Sequence, residues 1–301
     1  MSKSEARQSL KDKRRIVIKI GSALLAESGN VLSQRIADYC RQIAQLMGED
    51  YEFLIVTSGA VAAGMGRLGL DARPTKVNEL QAIAAIGQMK LMQVYEEEIS
   101  RLDLISSMVL LTHDDFSDRR RYLNARSTLT RLMKLGAVPL INENDTVATD
   151  EIKFGDNDTL CALVTNLVDA DLQIILTDVD GLMDKDPNIF EDAERVVEAS
   201  ADDQSLELLS SDRTSSLGRG GMLSKVKAAR LASRSGADTA IASGRVENIL
   251  IRLLKREDLG TYLFSESKSL KSRKRWIADQ LKPTGKIVMD SGAAMAISGG
   301  G

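Results

Sequence analysis

Short apolar runs alternate with stretches of helical periodicity along most of this chain, and nearly every apolar run stops at a glycine or a small polar cluster. Arg15-Ile16-Val17-Ile18-Lys19-Ile20 reads as a strand ending at Gly21-Ser22. Residues 33–47 carry Ile36, Tyr39, Cys40, Ile43, Leu46 and Met47 at helical spacing, and Phe53-Leu54-Ile55-Val56 is a second strand ending at Thr57-Ser58-Gly59. The same reading predicts helices over 78–100, 122–135 and 156–169, with another starting near Met222, and strands over 104–111, 138–141, 173–176 and 239–242. Strands this short and this apolar are buried on both faces. Alternating with helices, they predict an α/β fold, a three-layer αβα sandwich around a mostly parallel sheet. In such folds the ligand lies beyond the carboxyl ends of the strands. The polar clusters Gly21-Ser22, Thr57-Ser58-Gly59, Asn142 to Asp145 and Thr177-Asp178 each follow a strand, where that rule places a site.

Composition agrees with this fold and excludes several functions. Hydrophobic residues make up 43% of the 301 positions and aromatics 4%, which suits aliphatic helices covering a sheet better than a β-sandwich. A net charge of −3 argues against a general polyanion binder. Cys40 and Cys161 are far apart in sequence and read as reduced, partly buried thiols. Basic residues at Lys11, Lys13, Arg14 and Arg15 precede an apolar stretch, but Lys19 interrupts it, so the stretch is a strand and not a secretion signal. No run of about 18 apolar residues exists to span a membrane. The expectation is a cytoplasmic protein with no membrane partner.

Four clusters carry candidate chemistry. Lys19 sits inside an apolar strand, where a buried ammonium is costly without a counter-charge, and Gly21 beyond it allows a phosphate close to the backbone. A solvated lysine on an edge strand is the competing reading. Thr57-Ser58-Gly59-Ala60 joins a strand to a helical stretch and is either an anion-binding helix start or an ordinary serine cap. Asn142-Glu143-Asn144-Asp145 and Gly155-Asp156-Asn157-Asp158 are dense in polar groups able to hold an amino acid's ammonium and to fix a lysine or Mg²⁺. Leu217 to Lys225 brings Gly218, Gly220 and Gly221 to the start of a helix with Lys225 one turn in, a phosphate cradle with a point charge. Gly64-Met65-Gly66-Arg67-Leu68-Gly69 matches G-x-G-x-x-G. It stands several residues past the strand and is read as a loop, with no dinucleotide site.

His113 is the only histidine. Phosphorylating an alcohol calls for a base, whereas a carboxylate is already ionised near pH 7. Two lysines and a glycine cradle suit the second task, which asks for positioning and for cations on the transferred phosphoryl group.

At this point the residues resemble a known family. Lys-Ile-Gly-Ser (19–22), Val-Thr-Ser-Gly-Ala (56–60), Ile-Asn-Glu-Asn-Asp (141–145), Lys-Phe-Gly-Asp-Asn-Asp (153–158), Leu-Thr-Asp-Val-Asp-Gly-Leu (176–182) and Gly-Gly-Met-x-x-Lys (220–225) are together similar to the amino acid kinase superfamily. Within it they match the branch that phosphorylates the side-chain carboxylate of L-glutamate to glutamyl 5-phosphate, the first step of proline biosynthesis. The stretch from Phe116 ending in Leu123-Asn124-Ala125-Arg126 belongs to the same likeness, which covers roughly residues 14–290.

The resemblance implies an amino acid kinase fold and an ATP-dependent transferase using Mg²⁺ held largely by the nucleotide's phosphates. It implies that Lys19 and Lys225 neutralise the phosphates and that Asp158 holds those lysines. It assigns Ser58, Asp145 and Asn157 to glutamate. Thr177, Asp178, Arg219, Gly220, Gly221, Met222, Leu223, Ser224 and Lys225 go to ATP, together with Lys19. It also implies a homo-oligomer, a dimer or tetramer, with feedback inhibition by proline through the segment near 112–128.

Two features depart from the family pattern. Arg219 stands where a small residue or threonine is common, and the tail stops early. Residues 1–267 are expected to form the kinase domain. Residues 268–301, with Arg273-Lys274-Arg275-Trp276, are expected to form a linker and the incomplete start of a PUA-like domain, since roughly 30 residues cannot bury a core alone. The alternatives are a superfamily kinase for acetylglutamate, aspartate or a nucleotide, and a proline or nucleotide sensor without turnover. The Asn-Glu-Asn-Asp cluster speaks against the first. Lys19, Lys225 and Asp158 together speak against the second.

Overall fold

A computed structural model describes residues 6–27, 30–148, 157–185, 189–211 and 221–266. After a 3-10 turn (Ala6–Asp12) come β1 (Arg15–Ile20), the one-turn helix α1 (Ser22–Leu25), a small antiparallel pair β2 (Ala26–Glu27) and β3 (Asn30–Val31), and α2 (Ser33–Met47). Then follow β4 (Glu52–Val56), α3 (Ala60–Leu68), α4 (Val77–Ser100), β5 (Ile105–Leu111), α5 (His113–Ser117), α6 (Arg119–Lys134) and β6 (Ala137–Glu143). The remainder holds α7 (Asn157–Leu167), β7 (Leu172–Thr177), β8 (Glu198–Ser200), α8 (Ser205–Ser211), α9 (Met222–Ser233), β9 (Asp238–Ser243), α10 (Ile249–Leu254) and β10 (Thr261–Phe264).

Eight strands form one sheet in the order β5-β6-β4-β1-β7-β9-β10-β8. The six from β5 to β9 run parallel, β10 is antiparallel to β9, and β8 runs with β10. The expected mostly parallel sheet is present, with its direction reversed at one edge. The chain builds outward on one side of β1 through β4, β5 and β6, then crosses to β7 on the other. β1 is therefore the switch point, and its carboxyl end opens into the crevice where such folds bind ligands.

The period-2 alternation of a strand decides which way Lys19 points. Ile16, Ile18 and Ile20 pack in one layer with Ile36 and Ile43 of α2, Leu91 and Tyr95 of α4, and Leu250 of α10. Val17 packs on the other face with Leu129 of α6 and Leu160 and Val164 of α7. Lys19 shares the face of Val17 and so emerges on the side of α7. Ile16, Val17, Ile18 and Ile20 are fully shielded from solvent, each contributing roughly 1.5–3 kcal/mol of burial free energy. That anchorage holds the lysine's backbone in place. Both cysteines are fully buried, one in each helical layer, and burial pushes the Cys40 thiol up to about 12, so it is no thiolate at neutral pH.

Two expectations need correction. Gly64 to Leu68 is not a loop: it lies in α3, and Gly69 (φ 65°) caps that helix in the left-handed conformation. The glycine serves helix packing. A Cβ on Gly64 would fall 2.0 Å from the Ile83 carbonyl oxygen, and one on Gly87 of α4 would fall 1.7 Å from the Ala60 carbonyl oxygen. Nor is Ser58 the cap of α3. Gly59 holds that place at φ 97°, with no side-chain cap hydrogen bond. Ser58 is thereby left out of the cap and turned to other partners. Gly87→Ala is therefore expected to lose about 3 kcal/mol of stability, since the added methyl meets the backbone of α3. Urea unfolding within about 0.5 kcal/mol of wild type would contradict that packing argument. The basic cluster at 271–275, the strand expected over 285–290, and Arg219 and Gly220 lie outside the described residues.

Candidate active site

The strand ends that frame the crevice are fixed by hydrogen bonds continuing the ladder past the strands. Gly21 N–H donates to the Leu176 carbonyl (3.1 Å), Thr57 N–H to that of Ile141 (2.9 Å) and Gly244 N–H to that of Thr177 (2.8 Å). The site's loops therefore leave the sheet from rigid points.

Three charged side chains meet on the α7 side. Lys19 Nζ lies 2.7 Å from Asp158 Oδ1, and Lys225 Nζ lies 3.2 Å from Asp158 Oδ2. Asp158 comes from the first turn of α7 and Lys225 from the first turn of α9, so two helix N-termini converge on the end of β1. Residual exposures of 8% for Lys19, 4% for Lys225 and 1% for Asp158 remove the solvated-lysine reading. Ser224 Oγ stands 2.6 Å from Asp158 Oδ2 and 2.9 Å from the Gly221 carbonyl oxygen. Its single proton goes to the shorter, charge-assisted contact.

Burial alone would push the Asp158 carboxyl up. The Lys19 and Lys225 ammoniums, with hydrogen bonds from Lys19 and Ser224, outweigh that and hold it well below the usual carboxylate range. Within this trio, two ammoniums against one carboxylate leave one net positive charge at the carboxyl end of β1. Gly21 keeps the approach to it open, because a Cβ there would sit 3.3 Å from the Leu176 carbonyl oxygen and 3.8 Å from Lys19 Nζ.

The neighbouring residue, Asn157, faces the other way. Its Nδ2 lies 2.6 Å from the Thr57 carbonyl oxygen, 2.9 Å from Asn142 Oδ1 and 3.0 Å from Ser58 Oγ. Asn157 and Asp158 thus stand side by side at the start of α7, one joined to the ends of β4 and β6, the other to β1 and α9. The structure brings Ser58 and Asn157 together. It places Asp145 in the turn after β6, three residues beyond Asn142, on the wall of a cavity of ≈ 500 Å³ shared with Gln88, Glu143 and Asn144.

Thr177 ends β7 and Asp178 follows it exposed, the two linked by a 3.2 Å hydrogen bond from Thr177 Oγ1 to Asp178 Oδ1. Gly221, Met222, Leu223 and Ser224 form the start of α9, Gly221 as its N-cap. That twelve-residue helix offers its positive end beside Lys225 to an anion. Among the described residues no three carboxylate, histidine or cysteine side chains gather to hold a metal, and no helix is long and apolar enough to cross a membrane. Sequence reasoning missed Gln88, whose Oε1 accepts from Asn142 Nδ2 at 2.8 Å. A glutamine on a long helix gives no signal by spacing or composition.

A family model described as the amino acid kinase family matches residues 14–243. Curated relatives include a glutamate 5-kinase of Marinomonas sp. (strain MWYL1), 53% identical over 97% of this chain and 79% of that protein. Another from Aromatoleum aromaticum is 50% identical over 98% of this chain and 80% of that protein. Among solved structures, a UMP kinase from Bacillus anthracis superposes with TM-score 0.57 at 14% identity, covering 85% of this chain and 97% of the other. That likeness shows the fold alone.

Proposed function

The chain belongs to the amino acid kinase family and, within it, to the glutamate 5-kinases, and on that premise we propose how its site carries the reaction. The reaction is ATP-dependent phosphorylation of the side-chain carboxylate of L-glutamate, the first step of proline biosynthesis.

The observation that supports the assignment of roles is the adjacency of Asn157 and Asp158, which sets an amino-acid subsite directly beside a cationic one. Ser58, Asp145 and Asn157 hold glutamate. Ser58 Oγ lies 3.0 Å from the Asn157 amide nitrogen, which cannot accept its proton, and so keeps that proton to donate to a carboxylate, and Asp145 offers a negative charge to the ammonium. Thr177, Asp178 and the loop from Arg219 to Lys225 hold ATP. Lys19 and Lys225 gather the oxygens of the transferred phosphoryl group, and Asp158 keeps the two ammoniums apart and aimed. Mg²⁺ held by the phosphates of ATP would add its positive charge to that of the two lysines.

A glutamate side chain, with a pKa of about 4.3, is a carboxylate at pH 7, so no base is needed. A side-chain carboxylate oxygen forms a bond to the γ-phosphorus, the bond from that phosphorus to the β–γ bridging oxygen breaks, and ADP leaves with the electron pair. As charge spreads over the phosphoryl oxygens, two preorganised ammoniums in a water-poor site stabilise it.

The proposal extends to the division at 267/268 and to a dimer or tetramer. It also includes feedback inhibition by proline through 112–128. That segment starts directly after Leu111, whose carbonyl accepts from the N–H of Asn144, the neighbour of Asp145, at 2.9 Å.

Hydroxylamine trapping tests the reaction. Given ATP, Mg²⁺ and hydroxylamine, the protein should form an acyl hydroxamate from L-glutamate and not from N-acetylglutamate or L-aspartate. Hydroxamate from another acid alone would move the substrate assignment, and none from any acid would remove the kinase reading.

A further inference from the structure

One group at the amino-acid subsite can only accept a hydrogen bond, and it fixes the orientation of everything attached to it. The Thr57 carbonyl oxygen lies 2.6 Å from Asn157 Nδ2. A backbone carbonyl has no proton to give, so the nitrogen of Asn157, and not its oxygen, faces the end of β4. The polarity then propagates outward. Asn142 presents Oδ1 to that nitrogen at 2.9 Å, which leaves Asn142 Nδ2 pointing away, 2.8 Å from Gln88 Oε1. Asn157 and Asn142 are both buried, so an amide turned the wrong way here has little water to replace a lost partner. Gln88 is half-buried on α4, at the wall of the cavity that Asp145 also lines.

We propose that Gln88 is a positioning residue for the amino-acid substrate. By accepting from Asn142 it locks the relay Gln88–Asn142–Asn157–Thr57 in the one polarity that leaves Asn157 Oδ1 to accept from the substrate's α-ammonium. This rests on the reading that Ser58 and Asn157 hold glutamate. Were Asn142 to turn over, its nitrogen would meet the nitrogen of Asn157, donor against donor. Asn157 would then have to leave the Thr57 carbonyl and swing its oxygen away from the ligand.

Three substitutions separate this from any general effect of charge or packing. Gln88→Glu can still accept, Gln88→Met can do neither, and Gln88→Lys can only donate, which forces the turned-over relay. All three are good helix formers at a half-exposed position, so the fold persists. The expected KM for L-glutamate is within about threefold of wild type for Q88E, about tenfold higher for Q88M, and roughly thirtyfold higher or more for Q88K, a tenfold step being the scale of one lost hydrogen bond. The kcat and the KM for ATP stay within about twofold.

Simple attraction predicts the reverse order, because glutamate is an anion and lysine would draw it in. A Q88K protein that binds glutamate as well as Q88E overturns the proposal. Three variants at the wild-type KM overturn it too, as does a loss carried by kcat or by the KM for ATP. Failure of the underlying substrate reading shows separately, as a wild-type protein that makes no hydroxamate from glutamate before any variant is tested.

Discussion

Asp158→Asn is expected to lower kcat by roughly a thousandfold or more while lowering stability by about 3–5 kcal/mol. Both effects have one cause. The carboxylate is a counter-charge for two buried ammoniums, Lys19 at 2.7 Å and Lys225 at 3.2 Å, and the amide that replaces it takes that charge away from both in a dry site. Turnover falls because the lysines repel each other out of the geometry that grips the phosphoryl group.

The stability loss has a defined pH window. The Asp158 pKa is depressed on folding. Its contribution is therefore fully present above the unfolded value, near 3.9, and is lost only as pH falls through the folded one. The difference in unfolding free energy between wild type and variant should be flat from pH 5 to 8 and shrink only in acid below about pH 4. ATP should raise the melting temperature of the variant more than that of wild type, since its phosphates restore the missing counter-charge. Equal melting temperatures without ATP, or an active Asp158→Asn, would show that the three groups do not act together.

Lys225→Ala should be nearly as damaging to turnover and much less damaging to the fold. It removes one ammonium and leaves Lys19 paired with Asp158, so the trio of Lys19, Asp158 and Lys225 goes from a net charge of plus one to zero and the buried carboxylate keeps a counter-charge. We expect kcat to fall about a thousandfold with weaker ATP binding, while the KM for glutamate changes little, because Ser58 and Asn157 are held by β4 and β6 and not by α9. Lys225→Arg should restore little. The planar guanidinium cannot take the place of a compact point charge in a pocket where only 4% of the residue is exposed. Retention of more than about a tenth of wild-type kcat by Lys225→Ala would contradict the role assigned to it.

The core of the sheet was readable because its strands are short, apolar and punctuated. β1 has the expected bounds, Arg15–Ile20, as does α2, Ser33–Met47, where a full amphipathic stripe marks both ends. The far edge was not readable. β10 has four residues and β8 three, too few for alternation to register, and the reversal of β10 is a tertiary choice that its sequence does not announce. Gly64 to Gly69 misled for a related reason. A glycine that lets two helices touch looks, in sequence, like one that lets a loop turn.

At the site, Lys19 stood out as a charge inside an apolar strand and Lys225 as a lysine one turn into a glycine-led helix, while Asp158 lay in a dense polar cluster and was tied to the two lysines only by the family resemblance. The relay through Gln88 and the Thr57 carbonyl left no such mark. It depends on a main-chain oxygen and on amide orientations that only the packing of α4 against β6 creates.

The most direct test of the central claim follows an oxygen atom. L-Glutamate carrying ¹⁸O in its side-chain carboxylate is incubated with ATP, Mg²⁺ and hydroxylamine, and the released phosphate is weighed by mass spectrometry. If the carboxylate attacks the γ-phosphorus, hydroxylamine displaces phosphate at the acyl carbon and one ¹⁸O leaves with it, so each phosphate released in step with hydroxamate is one ¹⁸O heavier. Phosphate without the label would mean that water, not the glutamate carboxylate, took the phosphoryl group, and would contradict the account.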